Sequence, residues 1–406
     1  MTRLRGARLV TPDGVRDGLA VTLADGRITE IAPDHGSSAA DLDCGGGWLV
    51  PGFVDVHVHG VGGIDVLSGG DAVARVAATL PRYGVTAFLP TSVACPPDVL
   101  AGFLAAVAAA SAAGASGARV LGAHLESNFI APDYKGAQPA RCLRRPPAAG
   151  EPLVLEGEFT GAAILATIDR HAAAVRVVTL APELPHALDL ISRLAAAGHR
   201  VSLGHSGATY EQGLAGVAAG ARHATHLFNR MPPLTHRAPG LAGAVLTATE
   251  VTCEVIVDGV HVHPGAIAMA IRAKGPAGIA AITDGTAASG LPVGATTALG
   301  EHVLHVRADR AELADGTLAG SVATMDGVFR RLVSDVGLDL VEASRLTSTT
   351  PAEAAGRPDL GRLAVDAAAD LVWLDDDLRV RRTWVGGRDV WNSGGAVDVS
   401  PAEVRR

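Results

Sequence analysis

The chain has 406 residues, too many for one small core and suited to a large barrel with an appendage or to two domains. Its composition is globular, 48% hydrophobic and only 3% aromatic, with Ala and Gly abundant. A net charge of −8, without a basic stripe or a Lys/Arg run, argues against nucleic acid as a partner.

The opening "MTRLRGARLVTPDG" lacks the apolar core of a signal peptide. The longest uncharged run, "VLAGFLAAVAAASAAGASGA" (99–118), consists mostly of Ala, Gly and Ser, which gain little in lipid. It reads as a buried or amphipathic helix, and no membrane partner is expected. Cys44, Cys95, Cys142 and Cys253 are scattered without a CxxC spacing. That pattern suits a reduced, cytoplasmic protein with buried thiols and gives no support to a cysteine zinc site.

Residues 1–50 hold short β runs and Asp-Gly turns, as in "ARLVTPDGVRDGLAVTLADGRITEIAP". Residues 359–406 look alike, so the two ends are predicted to pair into one small β-sandwich. Between them, 51–358 alternates strand-like and helix-like segments. The predicted strands are 53–59, 85–91, 119–126, 176–181, 200–205, 222–228, 252–258 and 279–284. Intervening Ala/Leu-rich stretches have helical spacing. One is "DVLAGFLAAVAAASAAG", with Asp98 predicted as N-cap and Gly114 as C-cap; another is "HALDLISRLAAAG" (186–198). Eight buried strands with crossover helices predict an α/β fold, a (β/α)8 TIM-type barrel. The rival doubly wound sheet lacks its Gly-rich loop after the first strand.

Polar residues crowd the predicted strand ends. In "PGFVDVHVHG" strict alternation sets Asp55, His57 and His59 on one face, with the imidazoles about 7 Å apart. Glu126 ("GAHLES"), His205 ("SLGHSGATYEQ"), His226 ("HATHLFNRM") and Asp258 follow at other strand ends. In a barrel these ends share one mouth. Imidazole with carboxylate suits Zn²⁺, and less specifically Fe²⁺ or Mn²⁺. Asp284 in "AITDGTAASG" is placed to move a proton, or else makes an Asx turn before Gly285. Asn229, Arg230, His236 and Arg237, with His261 and His263, form a second cluster that suits a substrate anion or, equally, a solvated Pro-rich loop.

With these residues in view, the chain resembles the amidohydrolase superfamily, and within it the N-acetylglucosamine-6-phosphate deacetylase family. The resemblance runs nearly the whole length through "PGFVDVHVHG", "GAHLESNFIAPDYKGA", "SLGHSGATYEQ", "GARHATHLFNRMPPLTHRAPGLAGA", "VIVDGVHVHP", "ITDGTAASG" and "LAGSVATMD". It implies a divalent-metal-dependent deacetylase in which Glu126, His205 and His226 hold the principal zinc. His57 and His59 match a pair that holds a second ion in some members, with Glu126 bridging, so one ion or two are both open. Asp284 would be general base and then general acid. Asn229, the backbone at Arg230, and Arg237 would grip the sugar phosphate, and His261 would do so from the neighbouring subunit of a homodimer. The chain departs from the family pattern at Ser127 and Asn128, where Gly-Pro is usual, and at Gln138, where a carbonyl-polarising His is usual. Preserved hydrolysis with a shifted substrate would fit, such as N-acetylgalactosamine 6-phosphate or another amide. A sugar-phosphate-binding regulator without turnover is the alternative of another class.

Overall fold

Parallel strands from the centre of the chain pair side by side into a ring: Phe53–Val58, Val85–Ser92, Ala123–Glu126, Val175–Leu180, Arg200–Leu203, His223–Ala224, Thr252–Ile256 and Ile279–Ile282. The computed structural model describes residues 1–36, 41–114 and 116–394. Last strand meets first through a parallel bridge between Val58 and Gly285 and a hydrogen bond from the Asp284 N–H to the His57 carbonyl, 3.1 Å. An open sheet has no such closure, so the fold is the barrel read from the sequence.

Two strands differ from expectation. The predicted 119–126 strand breaks into Arg119–Val120 and Ala123–Glu126 around Gly122, whose φ is +115°. The predicted 222–228 strand is only His223–Ala224, because the chain turns sharply from His226 onward. The Ala-rich helix spans Pro97–Ala112, so Asp98 lies inside its first turn rather than capping it, where it still favours the helix dipole. Gly114 follows one residue beyond the Ala113 cap with φ +74°, the left-handed position that suits glycine. No described helix is long and apolar enough to cross a membrane.

The two chain ends form the small β-sandwich. Trp48–Pro51 pairs with Leu371–Leu374 on one side and Arg8–Thr11 on the other, within a six-stranded sheet. A four-stranded sheet built on Leu19–Ala24 and Arg27–Pro33 packs over it, with Leu4, Leu9, Val21, Ile28, Leu371 and Trp384 buried between. The two-residue loop Asp25-Gly26, φ +49° and +78°, joins that hairpin as a tight Asp-Gly turn.

Sandwich and barrel are clamped by a two-pronged ion pair. Arg119 Nε lies 2.7 Å from Asp370 Oδ2 and Arg119 Nη2 lies 3.0 Å from Oδ1. Asp370 is buried and its Oδ1 also accepts the Gly386 N–H at 2.6 Å. Asp370→Ala takes the acceptor from the half-buried Arg119 and from the Gly386 N–H, and is expected to cost about 2 kcal/mol. All four tryptophans, Trp48, Trp373, Trp384 and Trp391, lie in the six-stranded sheet. Urea unfolding followed by tryptophan emission therefore reads the sandwich, and its midpoint should fall in this variant.

Besides the two sandwich sheets, a third sheet outside the barrel was not foreseen. Thr296–Leu299, His302–Val306 and Ala311–Glu312 form an antiparallel meander after the eighth barrel strand, packed through Leu304, Val306 and Ala311 against Val93 and Ala288. The alternation in "TTALGEHVLHV" carried the signal.

Candidate metal centre

The strand ends bring six polar side chains together at the barrel mouth. His57 and His59 leave the first strand, Glu126 the third, His205 the fifth, His226 the sixth and Asp284 the eighth. Each is at most 5% exposed. Glu126 Oε1 lies 2.6 Å from His205 Nε2 and 2.8 Å from His226 Nε2, and those two nitrogens are 3.0 Å apart. His57 Nε2 and His59 Nε2 are 3.3 Å apart, at 3.8 and 3.6 Å from the two Glu126 oxygens. Both trios, Glu126–His205–His226 and His57–His59–Glu126, are compact enough for one ion each.

Proton bookkeeping decides what belongs at the focus. His205 Nδ1 is 2.8 Å from the Tyr134 carbonyl and His59 Nδ1 is 2.9 Å from the Thr91 carbonyl. A carbonyl only accepts, so each Nδ1 carries the hydrogen and each Nε2 presents a lone pair in the neutral ring. Those lone pairs face a carboxylate that also only accepts. Acceptors packed this closely need positive charge between them, and two imidazoles with a carboxylate in each trio fit a divalent cation. The same demand shows in His59: burial disfavours its charge, yet Asp284 and Glu126 push it up to about 9. Burial would likewise raise the Glu126 carboxyl, but His205, His226 and His57 hold it well below the usual carboxylate range.

Asp284 sits beside both histidines, its Oδ1 3.4 Å from His57 Nε2 and 3.3 Å from His59 Nε2. It makes no Asx turn; the Thr286 N–H, two residues on, goes to the Ser321 carbonyl at 3.2 Å instead. Burial opposes its charge, but His57 and His59 keep its carboxyl below the ordinary value. The backbone here is costly: His205, His226, Phe228, Arg230 and Asp284 all have positive φ, between +30° and +74°. Such residues cost about 1–3 kcal/mol each and persist where the surroundings fix them for a task.

A small cavity opens from this cluster. Gln138, Asn229, Arg230 and His261 line it, closed over by Leu299, Leu318 and Gly320 from the third sheet and the segment after it. His261 belongs to its own chain's cavity, where Asp258 grips Nδ1 at 2.6 Å and accepts the His261 N–H at 2.9 Å. Arg237 is not brought there. It is exposed with His236 on a tight turn, closed by the Thr235 N–H donating to the Ala238 carbonyl at 3.1 Å. His263 caps the helix Pro264–Lys274, accepting the Gly265 N–H.

The model of the amidohydrolase family matches residues 48–390. The chain belongs to the amidohydrolase family. This amidohydrolase is 33% identical to an N-acetylglucosamine-6-phosphate deacetylase of Lysinibacillus sphaericus, over 95% of its length and 96% of the relative's. It is 36% identical to an N-acetylgalactosamine-6-phosphate deacetylase of Escherichia coli O157:H7, over 95% of its length and 98% of the relative's. Among solved structures it is similar to the Mycobacterium smegmatis N-acetyl-D-glucosamine-6-phosphate deacetylase, an aspartate-to-alanine mutant in complex with N-acetyl-D-glucosamine-6-phosphate. That likeness has a TM-score of 0.87 and 34% identity, covering 96% of this chain and 99% of the other.

Of the three family departures, only Gln138 reaches the centre of this amidohydrolase. Its side-chain N–H donates to Glu126 Oε2 while its carbonyl accepts the Ala94 N–H at 2.7 Å. Ser127 donates to the Thr179 carbonyl at 2.5 Å, and Asn128 donates to the Cys95 and Cys142 carbonyls at 2.9 and 2.7 Å. Those two brace the loop from within.

Sequence reasoning missed the layer beneath the site. Glu254, mid-strand in "TCEVIVD", lies 2.9 Å from His57 Nδ1. His124 bonds the Val56 carbonyl and Thr179, which continues through Thr225 to Ser202 and His223. Burial lowers His124 to about 4, so it is neutral, and raises Glu254 to about 7 against the pull of His124 and His226. Asp55, expected beside the histidines, turns instead to Thr283 Oγ1 at 2.5 Å, and burial pushes it up to about 7.

Proposed function

We propose that this chain is a divalent-metal-dependent deacetylase of an N-acetylated hexosamine 6-phosphate, with N-acetylglucosamine 6-phosphate as first substrate, giving acetate and glucosamine 6-phosphate. One observation carries the reading: the ligand atoms of Glu126, His205 and His226 converge on a single point, with Asp284 beside it and polar groups lining the way in. Those three would hold the cation, which would supply an acidified water and a polarising charge for the amide carbonyl. Zn²⁺ matches the donor set best, with Fe²⁺ or Mn²⁺ next.

Asp284 takes the proton of the attacking water and returns it to the amine nitrogen as the C–N bond breaks. Against burial, His57 and His59 hold its carboxyl low, so it rests ionised with an oxygen free to accept one. Gln138 stands at the carbonyl side, able to donate a hydrogen bond but not to become cationic. Asn229, the Arg230 backbone and His261 hold the phosphate, and Arg237, exposed on its turn, stands outside this chain's own cavity. A homodimer in the cytoplasm completes this reading.

The experiment is acetate release by zinc-loaded protein from a panel of N-acyl hexosamine phosphates. N-acetylgalactosamine 6-phosphate belongs in it, because the E. coli relative carries that name and Gln138 has replaced the usual His. No turnover on any member, with tight binding of one, would convert the reading to a sugar-phosphate-binding regulator.

His261 makes a pH prediction. Burial works against its charge, but Asp258 raises it above the usual imidazole value. Cationic His261 therefore survives above pH ~6.5 and is lost as pH climbs through its raised value. The substrate phosphate loses its second charge below about pH 6. KM should be lowest between these limits, rising on both sides. In His261→Gln the alkaline rise should vanish and KM should be about tenfold higher at neutral pH, with kcat little changed. An unchanged KM profile would remove His261 from the phosphate site.

A further inference from the structure

We propose that Glu254 is a positioning residue that makes His57 a metal ligand, and so sets how many divalent cations the centre holds. The inference rests on the metal-dependent reading above. Glu254 and His57 are both fully buried, one on the seventh barrel strand and the other on the first. Glu254 Oε2 lies 3.2 Å from the His226 backbone nitrogen, which can only donate, and 2.9 Å from His57 Nδ1. An oxygen already accepting one N–H accepts the second as well. His57 therefore carries its hydrogen on Nδ1 and turns the Nε2 lone pair up toward His59 and Glu126. With the opposite tautomer an N–H would point at the focus, and the first-strand pair could not close on an ion.

The pair Glu254–His57 is a support and not itself an ion site. His124 completes a third close trio with them, but its Nδ1 is committed to the Val56 carbonyl at 3.0 Å and lies 3.7 Å from Glu254 Oε1. Among the described residues no other group bonds His57 Nδ1, whereas His205 has the Tyr134 carbonyl and His59 has the Thr91 carbonyl. In the Glu126–His205–His226 position His205 has its own anchor and Glu254 touches His226 only through the backbone N–H, so loss of the Glu254 side chain falls chiefly on the His57–His59 position.

The test is zinc stoichiometry by plasma mass spectrometry after equilibrium dialysis, with chelator competition for each affinity, on wild type, Glu254→Ala and Glu254→Gln. Wild type should hold two ions per chain. Glu254→Ala should hold one, its second ion weakened 10- to 100-fold and its first within about threefold of wild type. Glu254→Gln, which keeps an acceptor oxygen but no charge, should fall between. Nitrogen-15 spectra of labelled histidine should show one Nδ1-protonated ring in wild type that changes state in the alanine variant. Two ions at wild-type affinity in Glu254→Ala, or equal weakening of both, would overturn the inference, as would a single ion in saturated wild type. If the alanine variant does not fold, unchanged second-ion affinity in Glu254→Gln overturns it. Wild type that binds no divalent ion would fail the metal-dependent reading itself, a distinct result.

Discussion

Asp284→Asn is expected to lower kcat by about 10³-fold while the protein keeps its metal and still binds substrate. Proton transfer by a positioned side chain contributes about 10²–10⁴-fold, and no other carboxylate stands where Asp284 does. Glu126 is engaged by His205 and His226, and Glu254 lies beneath the histidines. Asparagine fills the same space but cannot take a proton from water or hand one to a leaving amine. It also withdraws the negative charge that raises His59, so the change is felt as lost chemistry and not as lost packing. Steady-state acetate release gives kcat; calorimetric titration with intact substrate gives binding, which should remain within a few-fold of wild type. Full turnover in this variant would remove Asp284 from the reaction.

Glu126→Gln should have the second large effect, through the ion and not the proton. Oε1 of this one carboxylate sits within 2.8 Å of both His205 and His226 Nε2, and its Oε2 is 3.6 Å from His59. Substitution by an amide removes the negative charge about which the imidazoles are gathered, and one of its ends becomes a donor. Bound zinc should fall below about 0.1 ion per chain after dialysis and turnover by more than about 10³-fold, because both ion positions share this residue. Wild-type unfolding temperature should rise with added zinc, since a ligand that binds only the folded state stabilises it. In Glu126→Gln that response should disappear. A variant that retained zinc and its thermal response would end the assignment of Glu126.

Much of the site could be read from strand ends. Period-two alternation fixes which side chains share a face, and the C-terminal ends of barrel strands gather at one rim, so His57, His59, Glu126, His205, His226 and Asp284 were all legible. Glu254 was not. A single acid inside "TCEVIVD" reads as a mid-strand polar residue, and its pairing with His57 depends on the stagger between the first and seventh strands, 197 residues apart. Arg237 was named for its chemistry, which suits a phosphate, and a Pro-rich turn holds it exposed, outside this chain's own cavity. The sandwich was legible in its Asp-Gly turns, whereas the meander over the cavity was passed over despite regular alternation.

That sandwich has a consequence for how the protein is made. Trp48–Pro51 finds its neighbour in Leu371–Leu374, roughly 320 residues later. At ribosomal speeds of about 5–20 residues per second, the first strands wait for some tens of seconds with one edge unpaired. The barrel can assemble on the nascent chain; the six-stranded sheet is completed only once residues 371–392 have been made. Slowed elongation or early truncation should therefore yield a species with a formed centre and an open, self-adhesive edge.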